Sequence, residues 1–477
     1  MTLKRLSLIF VTILLTTTAS AQITGGTYSG SPTLRLSLQE AQDYAVAHNY
    51  ALQNAALDIQ KAEATRWQTL SSMLPQVKAG FDYQNMCGYE MNFGGGSSSS
   101  YSSMMPDSVT IGGVTMPISF IYNNADDGNT STTTSIPMNP SGTFSITASI
   151  ALTGAQIVGT MLNDIAINMA NISRNQSEHT TRTNVKTTYT SILIMEQTVR
   201  LLDTSLQNML QLLASTEASV RAGASEQINA DKLKVQVASM RSNINATQSS
   251  LKLLYNSMVL LLGADVNSRL ELTTPLEQVL DIDYAAKLTM GNFHLEDNYD
   301  YQLLQQTENL SRKQVSMAWM DFTPTLSAYY QYSDKTYFGK DAGFNMTPPN
   351  MIGANISLPL FQSGTRMAKV KSAKIDLQET LNSKQQAEDG LKVQYNQLCY
   401  DLVSAIENYQ IQHENLDVTR RVFKNVSEKY TYGHASNLEV TNASTDIITA
   451  QSNYIQAVMS VVQAQVALEN LLGRAIE

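Results

Sequence analysis

The chain has 477 residues, enough for two or more ordinary domains or for one long repeated one. Only 15% of them are charged, the formal net charge is -9, and Ser, Thr, Asn and Gln are plentiful. That balance argues against a nucleic-acid binder, which carries a basic surface.

Residues 1–21 read as a secretory signal peptide. Lys4 and Arg5 form a basic start, Leu6 to Leu15 an apolar run, and Ala19-Ser20-Ala21 a cleavage site. No other run approaches ~18 apolar residues, so no transmembrane helix is expected.

Ser37 is the expected N-cap of a short helix, with Glu40 as its capping-box partner. A second helical pattern runs from Tyr50 to about Met73, its apolar stripe interrupted by Arg66. Pro75 cannot continue a helix and pushes the residue before it towards extended geometry. A strand over 75–84 follows, with Val77, Ala79, Phe81 and Tyr83 on one face. Residues 85–141 include Gly94-Gly95-Gly96 and long Ser/Thr runs, and read as a surface loop. The second strand, 144–152, puts Ile146, Ala148, Ile150 and Leu152 on one face.

A helical hairpin over 154–263 comes next. Gly223 breaks it, Ser225 is the expected N-cap of its second helix, and Gly263 stops it. Residues 264–297 read as irregular. A helix from Asn298 to Phe322 then leads to Pro324 and a strand over 324–332. A shorter loop precedes the fourth strand, 352–361, and a second hairpin spans 363–473, broken at Gly433 with Ser436 as N-cap.

The second half copies the first. Asn49, Tyr50, Gln53 and Pro75 recur as Asn298, Tyr299, Gln302 and Pro324, each 249 residues on. Gly223 and Leu261-Leu262-Gly263 recur as Gly433 and Leu471-Leu472-Gly473, each 210 on. The reading is an internal two-fold repeat, 22–263 and 298–477, joined by 264–297. The longer first loop accounts for the change of offset.

The long helices are coiled-coil-like. Leu391, Tyr395, Leu398, Leu402, Ala405, Tyr409 and Leu416 follow a 4-3 spacing interrupted by Gln412. From Ser363 to Tyr432 such a helix is roughly 100 Å long at ~1.5 Å per residue. Each strand has one apolar and one small or polar face, the pattern of a membrane-spanning strand. Strands in lipid must close into a barrel, and small barrels need about eight. Four strands per chain therefore imply several copies sharing one barrel. The alternative is a soluble α+β protein with two hairpins on helical stalks.

Chemistry-bearing patterns are missing from the sequence. His48, His179, His294, His413 and His434 are scattered, with no metal-ligand spacing, no nucleophile elbow and no phosphate loop. An enzyme is the least favoured reading, and no catalytic, cofactor or metal site is expected. Cys87 and Cys399 invite a disulfide reading, but the layout separates them by far more than the ~7 Å a bridge tolerates, which favours two unpaired thiols.

From Leu36 to Gly473 the sequence resembles the TolC-like outer-membrane efflux proteins. The features that carry this are Leu36-Ser37-Leu38-Gln39-Glu40-Ala41 with Ala45 and Asn49, the Leu74-Pro75 strand start with its echo at Pro324, and Leu358-Pro359-Leu360-Phe361 before Gly364. The resemblance implies a mainly α fold with transmembrane β: a homotrimer whose twelve strands close one outer-membrane barrel, above a long helical tunnel through the periplasm. It makes 264–297 a belt around the tunnel. It implies a passive exit duct working with a periplasmic adaptor and an inner-membrane pump. A protein-secretion duct is the alternative within that architecture, and a soluble periplasmic coiled-coil scaffold the alternative outside it. It also makes Gly223 and Gly433 the periplasmic tip turns, and Pro75 and Pro324 the helix-to-strand switches. Glu439, Asn442, Asn229 and Lys232 become candidates for a pore gate there, with Glu439 supplying one acidic ring.

Overall fold

The computed structural model describes residues 33–87, 90–93, 108–111, 114–117, 134–137, 139–338 and 348–473. The signal-peptide reading of 1–21 lies outside them. The elements in chain order are β1 (Thr33–Leu36), α1 (Leu38–His48), α2 (Tyr50–Ser71), β2 (Gln76–Gln84), β3 (Glu90–Phe93), β4 (Ser108–Ile111), β5 (Val114–Pro117), β6 (Thr134–Pro137) and β7 (Ser141–Leu152). Then come α3 (Gly154–Arg221), α4 (Gln227–Leu262), β8 (Arg269–Leu272), α5 (Leu276–Val279), α6 (Ile282–Thr289) and a 3-10 turn (Leu295–Asp297). The chain continues with α7 (Tyr299–Met320), β9 (Thr325–Tyr337), β10 (Asn350–Ser357), α8 (Thr365–Thr431) and α9 (Asn437–Leu472).

These elements form two compact units. One comprises 63–165 and 309–378 and holds the main sheet. Its strand order is β10-β9-β7-β2, all antiparallel. The register lines apolar residues up in rows: Val77, Ala148, Tyr330 and Ile352 in one, Leu152, Leu326 and Ile356 in another. The opposite face carries Lys78, Thr147 and Gln331 in one row and Gly80, Ser145 and Ser333 in the next. The apolar face lies open, with Val77 70%, Ile352 84% and Ile356 72% exposed. The outer strands β2 and β10 each pair on one side only. Arg66, which broke the stripe of α2, pairs with Asp164 of α3 at 2.8 Å.

The second unit comprises 1–62, 166–308 and 379–477. Several apolar cores hold its helices together. Ala41 and Ala45 of α1 pack with Val185, Tyr189 and Ile192 of α3 and Met258 and Leu262 of α4. Leu402 and Ala405 of α8 pack with Val461 and Leu468 of α9, and Tyr395, Leu398 and Tyr409 flank that cluster as the 4-3 spacing requires. α9 alone among the described helices is long and apolar enough to cross a membrane by composition. Its Val458, Val461, Val462 and Val466 lie instead in these cores.

Several expectations need correction. The second strand starts at Ser141 rather than 144, and the third runs to Tyr337 rather than 332. Residues 85–141 are not simply loop: β3 pairs with β6 and β4 with β5, since backbone N–H and C=O groups satisfy one another in a ladder. Residues 264–297 are not irregular either. They contain β8, α5 and α6, and β8 pairs in parallel with β1. The fourth strand ends at Ser357 rather than 361, since Pro359 has no N–H to extend the ladder. Finally, Glu226 rather than Ser225 is the N-cap of α4, without a side-chain bond.

Candidate functional site

The two hairpin turns share one geometry. Gly223 and Gly433 adopt φ of +73° and +74°. Gly223 N–H bonds Val220 O at 2.9 Å and Ala224 N–H bonds Ser219 O at 2.9 Å. Gly433 N–H bonds Tyr430 O at 3.0 Å and His434 N–H bonds Lys429 O at 2.8 Å. Both are Schellman caps, in which a left-handed residue lets two amides satisfy the last helical carbonyls. Open space surrounds both Cα atoms, so glycine is needed there for its backbone freedom alone.

Glu439 and Asn442 sit one turn apart on α9, both exposed. Glu439 completes a capping box: its carboxylate accepts from Ser436 N–H at 2.6 Å, and its own N–H bonds Ser436 Oγ at 3.2 Å. The bond from the Ser436 backbone, then that from its hydroxyl, hold the Glu439 carboxyl below its ordinary value. On α4, Asn229 is half-buried with its amide on Ser225 Oγ at 3.2 Å, and Lys232 is exposed. Leu233 of α4 and Val440 of α9 meet in one small core with Leu212 of α3, flanked by Tyr430 of α8. The two candidate pairs therefore ride on helices that share a core. Beside that core, Thr216 donates to Leu212 O, so the Tyr430 hydroxyl 2.9 Å away donates to Thr216. A cavity of about 690 Å³ lies between α3, α8 and α9, walled by Arg420, Phe423 and Lys424 of α8.

Sequence reasoning missed a buried polar seam. Lys186 of α3 reaches both carboxylate oxygens of Glu469 of α9, at 2.9 and 2.8 Å, and both side chains are more than nine-tenths buried. Gln465 donates to the same carboxylate at 2.9 Å. The available signal was the spacing of His179, Thr183, Lys186 and Thr190, polar residues at helical period, which ordinarily marks a solvent face. Pro75 and Pro324 each stand one residue before a strand, β2 and β9. Cys87 is exposed and Cys399 half-buried, both free thiols.

Residues 294–474 match the family model described as outer membrane efflux protein. The chain has the fold of outer-membrane channel proteins. It superimposes on the structure of CusC, described with transmembrane channel formation, at a TM-score of 0.69 and 16% identity over 95% of this chain and 96% of that one. The outer membrane protein VceC of Vibrio cholerae gives 0.65 and 15% identity, over 92% and 97%. The MtrE outer membrane channel of Neisseria gonorrhoeae, in its open state, gives 0.66 and 15% identity, over 94% and 93%. Comparison with curated proteins gives no significant match. The structural relatives are described as outer-membrane proteins and channels rather than enzymes, and the matched family model as an outer membrane efflux protein.

Proposed function

We propose that this protein is the exit duct of a tripartite efflux system, a passive conduit for small molecules across the periplasm and outer membrane. The observation that carries the reading is the open sheet β10-β9-β7-β2, with one exposed apolar face and two unpaired edges. Lipid covers such a face, and further strands must satisfy such edges. Three copies then supply twelve strands to one barrel, as a homotrimer. The two repeats, 22–263 and 298–477, each contribute a strand pair and a helical hairpin, and 264–297 joins them in a belt. The hairpins line a periplasmic tunnel that ends at Gly223 and Gly433. There a periplasmic adaptor docks and links the duct to an inner-membrane pump that supplies the energy. Glu439 forms one acidic ring at the pore, with Asn442, Asn229 and Lys232 beside it.

Planar-bilayer recording of the purified protein tests this. The duct reading expects discrete ion-conducting steps, larger in Glu439→Ala than in the wild type. A protein that partitions as a soluble monomer and never conducts contradicts it.

A further inference from the structure

His179, Thr183, Lys186 and Thr190 lie at i, i+4, i+7 and i+11 on α3, and all four are buried. Together with Gln465 and Glu469 of α9 they make a buried polar seam beside apolar cores of the helical unit. Lys186 is matched: its charge meets the Glu469 carboxylate on both oxygens. Thr190 is matched too, its hydroxyl bonding Lys186 O at 2.8 Å. His179 Nε2 and the Thr183 hydroxyl meet no protein donor or acceptor, and of the two only His179 can take up a proton in this pH range. Its ring lies against Tyr299 of α7, with centroids 5.7 Å apart.

The titratable groups that act on His179 are the Glu469 carboxylate from α9 and the Tyr299 ring from α7. Glu178 of α3 acts on Tyr299, whose phenol burial and that neighbouring charge hold neutral. Burial disfavours an imidazolium at His179, and the Glu469 charge opposes that effect only in part. Glu469 is already neutralised by Lys186, so a second cation beside it gains little.

We propose that this seam is an acid-sensitive joint between α3 and α9, in which protonation of His179 adds an unmatched buried charge and loosens the packing. The direction follows from linkage. The folded imidazole titrates below its ordinary value of 6.5. The contribution of neutral His179 is therefore fully present above that value, and it is lost as pH falls from there through the lower folded value.

The test uses the purified full-length protein in detergent, with melting and amide hydrogen exchange followed from about pH 7.5 to about pH 5. In the wild type, the melting midpoint falls over this range. Exchange, corrected for its intrinsic pH dependence, speeds in 175–194 and 461–472 ahead of the rest of the helical unit. His179→Phe keeps a ring against Tyr299 but cannot titrate, and its midpoint stays level. The same acid loss in His179→Phe as in the wild type overturns the proposal. Should His179→Phe fail to fold, His179→Gln serves as the non-titrating variant. The wild-type exchange pattern also decides: faster exchange confined to the seam supports the joint, and uniform or unchanged exchange overturns it.

Discussion

Asn298 donates its side-chain amide to the Leu471 carbonyl at 2.8 Å, and Asn49 does the same to Leu261 at 2.7 Å. Each asparagine also accepts from an amide at the start of its own helix, Tyr301 N–H at 3.1 Å and Ala51 N–H at 2.8 Å. One side chain thus caps a helix start while holding the end of a hairpin. Asn298 is buried and Asn49 half-buried. Asn298→Ala leaves a buried carbonyl unpaired and is expected to cost about 1–3 kcal/mol. Asn49→Ala, with water able to replace part of the bond, costs less. Thermal unfolding of the two variants checks the order.

The glycines that end the hairpins act differently from those at their turns. A Cβ on Gly263 collides with the His48 carbonyl, and one on Gly473 with the Asp297 carbonyl. Gly433 has open space around it and only its φ of +74° to protect. Gly433→Ala is expected to cost about 1–2 kcal/mol from left-handed strain alone. Gly473→Ala adds a backbone collision to the same strain and loses more. Melting midpoints of the pair separate the two causes.

Much of this was legible in the sequence because the signals were local. Pro75 and Pro324 fix where helix gives way to strand, and Gly223, Gly263, Gly433 and Gly473 fix where helices stop, since both residue types act through their own backbone. The capping box at Ser37–Glu40 spans three residues and was equally plain, as was Ser436 as the N-cap of α9. What escaped depends on partners distant in sequence. β1 and β8 become strands only because Thr33 to Leu36 meet Arg269 to Leu272. Lys186 and Glu469 look like solvated helix residues until α3 and α9 pack together. Glu439 was singled out from the sequence as a gate candidate, but its capping role and its place beside the Leu233–Val440 core were not visible from spacing alone.

The buried ion pair makes a sharper prediction than its strength alone. Lys186→Met strands the Glu469 carboxylate in the core and is expected to cost about 3–5 kcal/mol. Lys186→Met combined with Glu469→Met removes both charges and is expected to recover most or all of the loss. Denaturant unfolding of the single and double variants measures the coupling.

Glu439 gives a prediction at lower pH. The Ser436 bonds hold its carboxyl below the ordinary value of 4.5. Its contribution to the start of α9 is therefore present in full above that value and is lost as pH falls through the lower folded value. Amide exchange at 437–440 is expected to rise there in the wild type. In Ser436→Ala the same amides are expected to exchange faster at every pH.

In the proposed duct, the four-stranded sheet β10-β9-β7-β2 closes only with strands from further copies. Native mass spectrometry of the protein released from detergent tests this most directly. The account predicts the mass of three chains, and a protein that stays a folded single chain under those conditions contradicts it.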